Sequence, residues 1–137
     1  GFIFVPDTPR AVEPRKAGTL VEAARNAGMA PVGVFRNAPV PYVIAAANDL
    51  GLAAVQLHGQ ESAEQIAVIQ EGFDGEVWTA SAPEQDRGGD RPLFDNGPGG
   101  TGEAFDWSRL SSAPRRSSAF LAGGIGPHNA RAAQQTG

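Results

Sequence analysis

Six short strand-like runs, mostly apolar, recur along this 137-residue chain, near residues 2–5, 32–35, 53–57, 76–80, 93–95 and 119–122. The continuous run from Phe2 to Val5, ending at Pro6, suits a strand buried on both faces, as in a parallel sheet covered by helices. Stripes at helical spacing lie between them: Leu20, Val21, Ala24 and Ala27 up to Gly28, then Val40, Val43, Ile44, Ala47 and Leu50 up to Gly51, then Ile66, Ile69 and Phe73. Glu13-Pro14 marks the first helix start, and a helical tail is expected from about Pro127. Residues 83–91 are polar with no stripe, so the helix expected there is short or lost. Strands spaced by roughly 16 to 30 residues, most with a helical segment between, predict repeating βα units of the α/β class. No reversal of strand order is visible, which favours a (β/α) barrel over an open doubly wound sheet.

Residues 1–137 read as one domain, since 41% apolar residues suffice for a core and exclude global disorder. The charge is −4, from 11 basic and 15 acidic residues, with no basic cluster beyond Arg115-Arg116, so nucleic acid is not an expected partner. The apolar runs are too short to cross a membrane. With no cysteine there is no disulfide, thiolate metal site or cysteine nucleophile in these residues. No His or carboxylate pair has metal spacing, and no secretory leader is visible, so a soluble cytoplasmic protein is expected. The chain starts on a strand and stops just after a helical stretch. Both ends are therefore expected to be cut through a larger domain.

The chemistry concentrates where strands end. Leu93 and Phe94 finish a strand, Asp95 follows, and Gly97, Gly99, Gly100 and Gly102 allow the next loop to bring backbone N–H groups close to a ligand. In a (β/α) barrel this edge gathers the catalytic groups, and a carboxylic acid there can serve as a general acid. The same residues also read as a turn with a capping aspartate. Arg10, in the loop after the first strand, can grip a carboxylate or phosphate, or can be a solvated loop arginine. Gln56 and His58 alternate with Val55 and Leu57 and so face one way, as ligand contacts or, for His58, as a partner of a neighbouring loop. Gly123-Gly124 closes the last strand ahead of a helix start, where backbone N–H groups can hold an anion. Asp106 is expected to cap a short helix rather than to catalyse.

These motifs in this order resemble phosphoribosylanthranilate isomerase: Gly1-Phe2-Ile3-Phe4, Val32-Gly33-Val34-Phe35, Val55-Gln56-Leu57-His58-Gly59, Phe94-Asp95-Asn96 with Gly99-Gly100-Thr101-Gly102, Phe105-Asp106-Trp107 and Leu121-Ala122-Gly123-Gly124. The chain looks closest to the isomerase half of the bifunctional protein that also carries indole-glycerol-phosphate synthase. The resemblance implies a (β/α)8 TIM barrel, here incomplete, with about strands 2 to 7 present. It implies a cofactor-free Amadori rearrangement in tryptophan biosynthesis, acting on a phosphorylated small molecule, and a fused or associated synthase domain. By the same resemblance Asp95 matches the general acid, Arg10 the grip on the anthranilate carboxylate, and Gly123 and Gly124 part of the phosphate cradle. Gln56 and His58 match site-lining positions. The family's general base is a cysteine on its first strand, which these residues do not contain, and Thr79 stands where the family usually has lysine. The expectation is a fragment inactive on its own. Two other readings stand beside it: a non-catalytic domain that binds a phosphometabolite or a partner chain, and a different phosphosugar barrel, against which the sequence from Asp95 to Trp107 argues.

Overall fold

The computed structural model describes residues 1–95 and 106–136. The glycines expected to line the loop after Asp95, together with Asn96, Thr101 and Phe105, lie outside the described residues. Six strands form one sheet: β1 (Phe2–Ile3), β2 (Val32–Phe35), β3 (Ala54–Leu57), β4 (Glu76–Ser81), β5 (Arg91–Phe94) and β6 (Phe120–Leu121). Their order is sequential and every neighbouring pair is parallel. Helices α1 (Pro14–Asn26), α2 (Val40–Leu50) and α3 (Ala63–Gly72) fill the first three crossovers. The short α4 (Ala130–Gln134) follows β6.

The core lies between the sheet and these helices. Phe4, just after β1, and Phe35, Val55, Leu57 and Val77 from the strands pack with Ala17, Val21, Val43, Ala47, Ile66 and Ile69 from the helices. Side chains alternate along a strand, so the residues between them occupy the other, concave face. Gln56 is one of these, in register with Val34 on one side and Trp78 on the other. This is the wall of an incomplete (β/α) barrel: sequential parallel strands with helices on the outside.

Local chemistry explains where the elements stop. Pro14 opens α1 with Glu13 as its N-cap residue, while Gly51 ends α2 in the left-handed region at φ 56°. Ser62 and Gln65 form a reciprocal capping box at the start of α3. The polar stretch after β4 carries no helix and lies against that strand instead. There Asp90 N–H donates to Val77 O at 2.7 Å, and Val77 N–H donates to the Asp90 carboxylate at 2.7 Å.

Three expectations shift in detail. The α1 stripe narrows, because Ala17 and Val21 are buried but Leu20 is 52% exposed. The first strand closes at Ile3, although Phe4 N–H still donates to Val34 O at 2.9 Å. The last helix begins at Ala130 rather than near Pro127, because Asn129 folds back: it accepts from Gly126 N–H at 2.7 Å and donates to Gly124 O at 2.9 Å. Among the described residues no helix is long and apolar enough to cross a membrane.

Candidate active site

Parallel strands put all their C-terminal ends on one edge, so the loops after β1 to β6 share one rim of the sheet. A concavity of about 550 Å³ opens on that rim. It is floored by Ala80, Ser81 and Ala82 at the end of β4, and lined by Arg36 and Asn37 after β2, His58 and Gly59 after β3, Arg87 after β4 and Asp95 after β5. The structure therefore brings two of the sequence-predicted residues, His58 and Asp95, into one space. Gln56 lies one strand position before Leu57, half-buried on the concave face. Arg10, exposed after β1, and Gly123 and Gly124, after β6, lie outside the lining of this concavity. Both glycines have positive φ, 80° and 62°, a backbone form that side-chain-bearing residues rarely adopt.

Each element sets its residue by main-chain bonds. His58 N–H donates to Phe35 O at 2.9 Å, which continues the β2–β3 ladder one step past the strand and anchors the histidine at the rim. Asp95 N–H reaches Ser81 O at 3.4 Å in the same way at the end of β4. Burial pushes the His58 imidazole below its usual value. The carboxylates of Asp95 and Glu61 act against that shift, and the guanidinium groups of Arg36 and Arg87 reinforce it. The imidazole is therefore neutral at pH 7, able to donate from one nitrogen and accept at the other.

Residues outside the sequence reading complete the rim. Glu61 is buried, with its side chain only 4% exposed, and is paired to Arg87 at 3.2 Å. Arg109 grips Glu84 through two bonds of 2.6 and 2.7 Å, tying the segment after Asp106 to the loop after β4. Asp106 itself accepts from Ser108 N–H at 3.0 Å and caps the 3₁₀ segment Trp107–Ser112, as its sequence context predicts. Thr79 is fully buried on the helix side of β4, where its hydroxyl donates to Gly88 O at 2.8 Å. It does not border the concavity. Glu61 had one sequence signal, its place just ahead of the Ser62–Gln65 capping pair. Nothing nearby announces a partner 26 positions away.

The sequence model of N-(5'phosphoribosyl)anthranilate (PRA) isomerase matches residues 1–137. The chain belongs to the PRA isomerase family. It is 38% identical to the tryptophan biosynthesis protein TrpCF of Salmonella typhi, over 100% of this chain and 31% of that protein. It is also 38% identical to the N-(5'-phosphoribosyl)anthranilate isomerase of Saccharomyces cerevisiae, over 94% of this chain and 66% of that one. The crystal structure of phosphoribosyl anthranilate isomerase from Thermus thermophilus superposes with a TM-score of 0.83 at 29% identity, covering 99% of this chain and 70% of that chain. A PRA isomerase solved in complex with reduced 1-(o-carboxyphenylamino)-1-deoxyribulose 5-phosphate aligns with a TM-score of 0.76 at 28% identity, over 99% of this chain and 69% of that chain. Measured against these relatives, the chain spans 31% of the TrpCF protein and 66% of the yeast isomerase. The fold is thus that of an incomplete (β/α)8 barrel of the PRA isomerase family.

Proposed function

We propose that this chain supplies most of the active site of an isomerase in tryptophan biosynthesis. The reaction is the Amadori rearrangement of N-(5-phosphoribosyl)anthranilate to 1-(2-carboxyphenylamino)-1-deoxyribulose 5-phosphate. One observation carries the reading: in a chain of this family, Asp95 and His58 open onto the same concavity at the C-terminal rim of the sheet.

The chemistry needs proton transfers alone. Asp95 gives a proton to the furanose ring oxygen; the C1–O bond breaks as the anilino nitrogen forms a C=N bond to C1. A base from outside these residues, which hold no cysteine, takes the C2 proton. The electron pair left on C2 forms the enolamine, and tautomerisation delivers the ketone. Arg10 is assigned to the anthranilate carboxylate, where a planar guanidinium makes paired bonds. Gly123 and Gly124 are assigned to the phosphate, which their positive φ lets the backbone approach. Gln56 and His58 are assigned to the sugar, with the neutral imidazole offering a donor and an acceptor. Residues 1–137 act as one partial barrel domain in this reading. A fused indole-glycerol-phosphate synthase domain is the proposed companion, and the cytoplasm the proposed compartment.

Asp95→Asn in the full-length protein tests the assignment. A general acid contributes about 10² to 10⁴ in rate, so kcat should fall by that factor while product affinity changes little. Turnover unaffected by the substitution would remove Asp95 from the chemistry. Bound product without turnover in the parent protein would favour a binding domain instead.

A further inference from the structure

Glu61 is a carboxylate taken almost wholly out of water at the rim, yet it is not among the residues assigned to the reaction. Such burial is costly unless every oxygen is satisfied, and here both are. Oε1 accepts from Asn37 N–H at 2.8 Å, in the loop after β2. Oε2 accepts from Gly59 N–H at 3.0 Å, in the loop after β3. Arg87, in the loop after β4, reaches the same Oε2 at 3.2 Å. The Arg87 guanidinium is itself fixed by Glu61 O at 2.9 Å and Ala80 O at 2.7 Å. Asn37 closes the circle, because its Oδ1 accepts from Gln60 N–H at 2.6 Å. One carboxylate thus joins three successive loops, and His58 leaves the sheet between them.

The fit is close enough to dictate neighbouring residues. Asn37 sits at φ 52°, in the left-handed region that asparagine tolerates better than most residues. A Cβ at Gly59 would stand 2.5 Å from Asn37 N and 2.6 Å from the Glu61 carboxylate, so only glycine lets the loops meet.

We infer that Glu61 is a positioning residue for the reaction: with Arg87 it forms a buried strap across the loops after β2, β3 and β4 that holds His58 and the floor at Ala80 in their working arrangement. The inference rests on the isomerase reading for its consequence in turnover, and on geometry alone for its consequence at His58. Glutamine at position 61 keeps the shape but replaces one acceptor oxygen with a donor, which faces either a backbone N–H or a guanidinium. Lysine at position 87 keeps the charge but cannot serve three acceptors in a plane.

The test uses the full-length protein with Glu61→Gln, Arg87→Lys and the pair together. Small displacements of positioned groups cost up to about 100-fold, so each single substitution should lower kcat by about 10- to 100-fold with a much smaller change in KM. The double variant should fall no further than the worse single one, because both break one strap. Single effects that multiply, or that stay within about twofold of the parent, would overturn it. If Glu61→Gln does not fold, Arg87→Lys alone carries the comparison. The His58 imidazole, followed by NMR, separates this inference from the isomerase reading, since the groups facing it are Asp95, Glu61, Arg36 and Arg87. In Glu61→Gln its titration midpoint should drop and the Asn37 and Gly59 amide signals should move, even in a protein that shows no isomerase turnover. An unchanged midpoint and unmoved amides would refute the strap whatever the turnover.

Discussion

His58 illustrates how a single side chain carries information about both stability and chemistry. Burial lowers its folded-state value beneath the ordinary 6.5, so as pH falls the unfolded chain takes up this proton before the folded one does. Its contribution is therefore complete above pH 6.5 and is lost as the pH drops through and below that value. The thermal midpoint should fall on acidification from about pH 7.5 to about 5, and should fall less in His58→Gln. Equal losses in both proteins would mean that another group titrates in that window. Glu76 and Glu84, held below 4.5 chiefly by hydrogen bonds from Trp78 and from Arg109 respectively, begin to matter only at lower pH. The alternation of Val55, Gln56, Leu57 and His58 made the pair of polar residues legible in sequence, since strand geometry fixes which way each points. Glu61 was not legible, because its partners Asn37 and Arg87 come from other loops and only the closed structure shows them together.

At the scale of elements, the boundaries that announced themselves were those with a local chemical cause. Val40–Leu50 could be bounded from its stripe and from Gly51, and Val32–Phe35 from four residues before a polar loop. The edge strands are shorter than their apolar runs, since pairing across the sheet, which sequence does not show, decides where a strand ends. Helix α3 carries a boundary signal of another sort in Ser62 and Gln65, whose side chains each satisfy the other's backbone N–H at 3.2 and 2.8 Å. Losing an N-cap of this kind costs about 1 kcal/mol, so Ser62→Ala should lower the unfolding free energy by about that amount in a urea titration with an unchanged m-value. A change in m as well would mean that the cap also sets how compactly α3 docks. Because Ser62 adjoins Glu61, the same substitution should leave the Asn37 and Gly59 amide signals in place if cap and strap are independent.

The whole molecule is a wall with two unequal sides. Its helix side is sealed by the cluster running from Phe4 to Val77, while the concave side keeps apolar surface in reach of water. Trp78 and Phe120 lie on that face with ring centres 4.5 Å apart, and Phe120 remains 38% exposed. Arg91 sits over the Phe120 ring at 5.5 Å and pairs with Glu76 at 3.0 Å, which places one ion pair beside the aromatic pair. The two sheet edges differ as well: Ala11 bridges to Ile3 along β1, whereas β6 pairs with β5 alone among the described residues. A strand edge left unpaired among the described residues, beside exposed aromatic surface, is a template for association with other chains. A polypeptide of residues 1–137 by itself should therefore self-associate with rising concentration in sedimentation experiments, with Trp78 emission shifting to the blue as the concave face loses water. Phe120→Lys puts a charge at that face and edge and should weaken the association without touching the helix-side core. Monomeric sedimentation of the parent across the same concentrations would show that the concave face is closed within these residues, and the open-wall description would then be wrong.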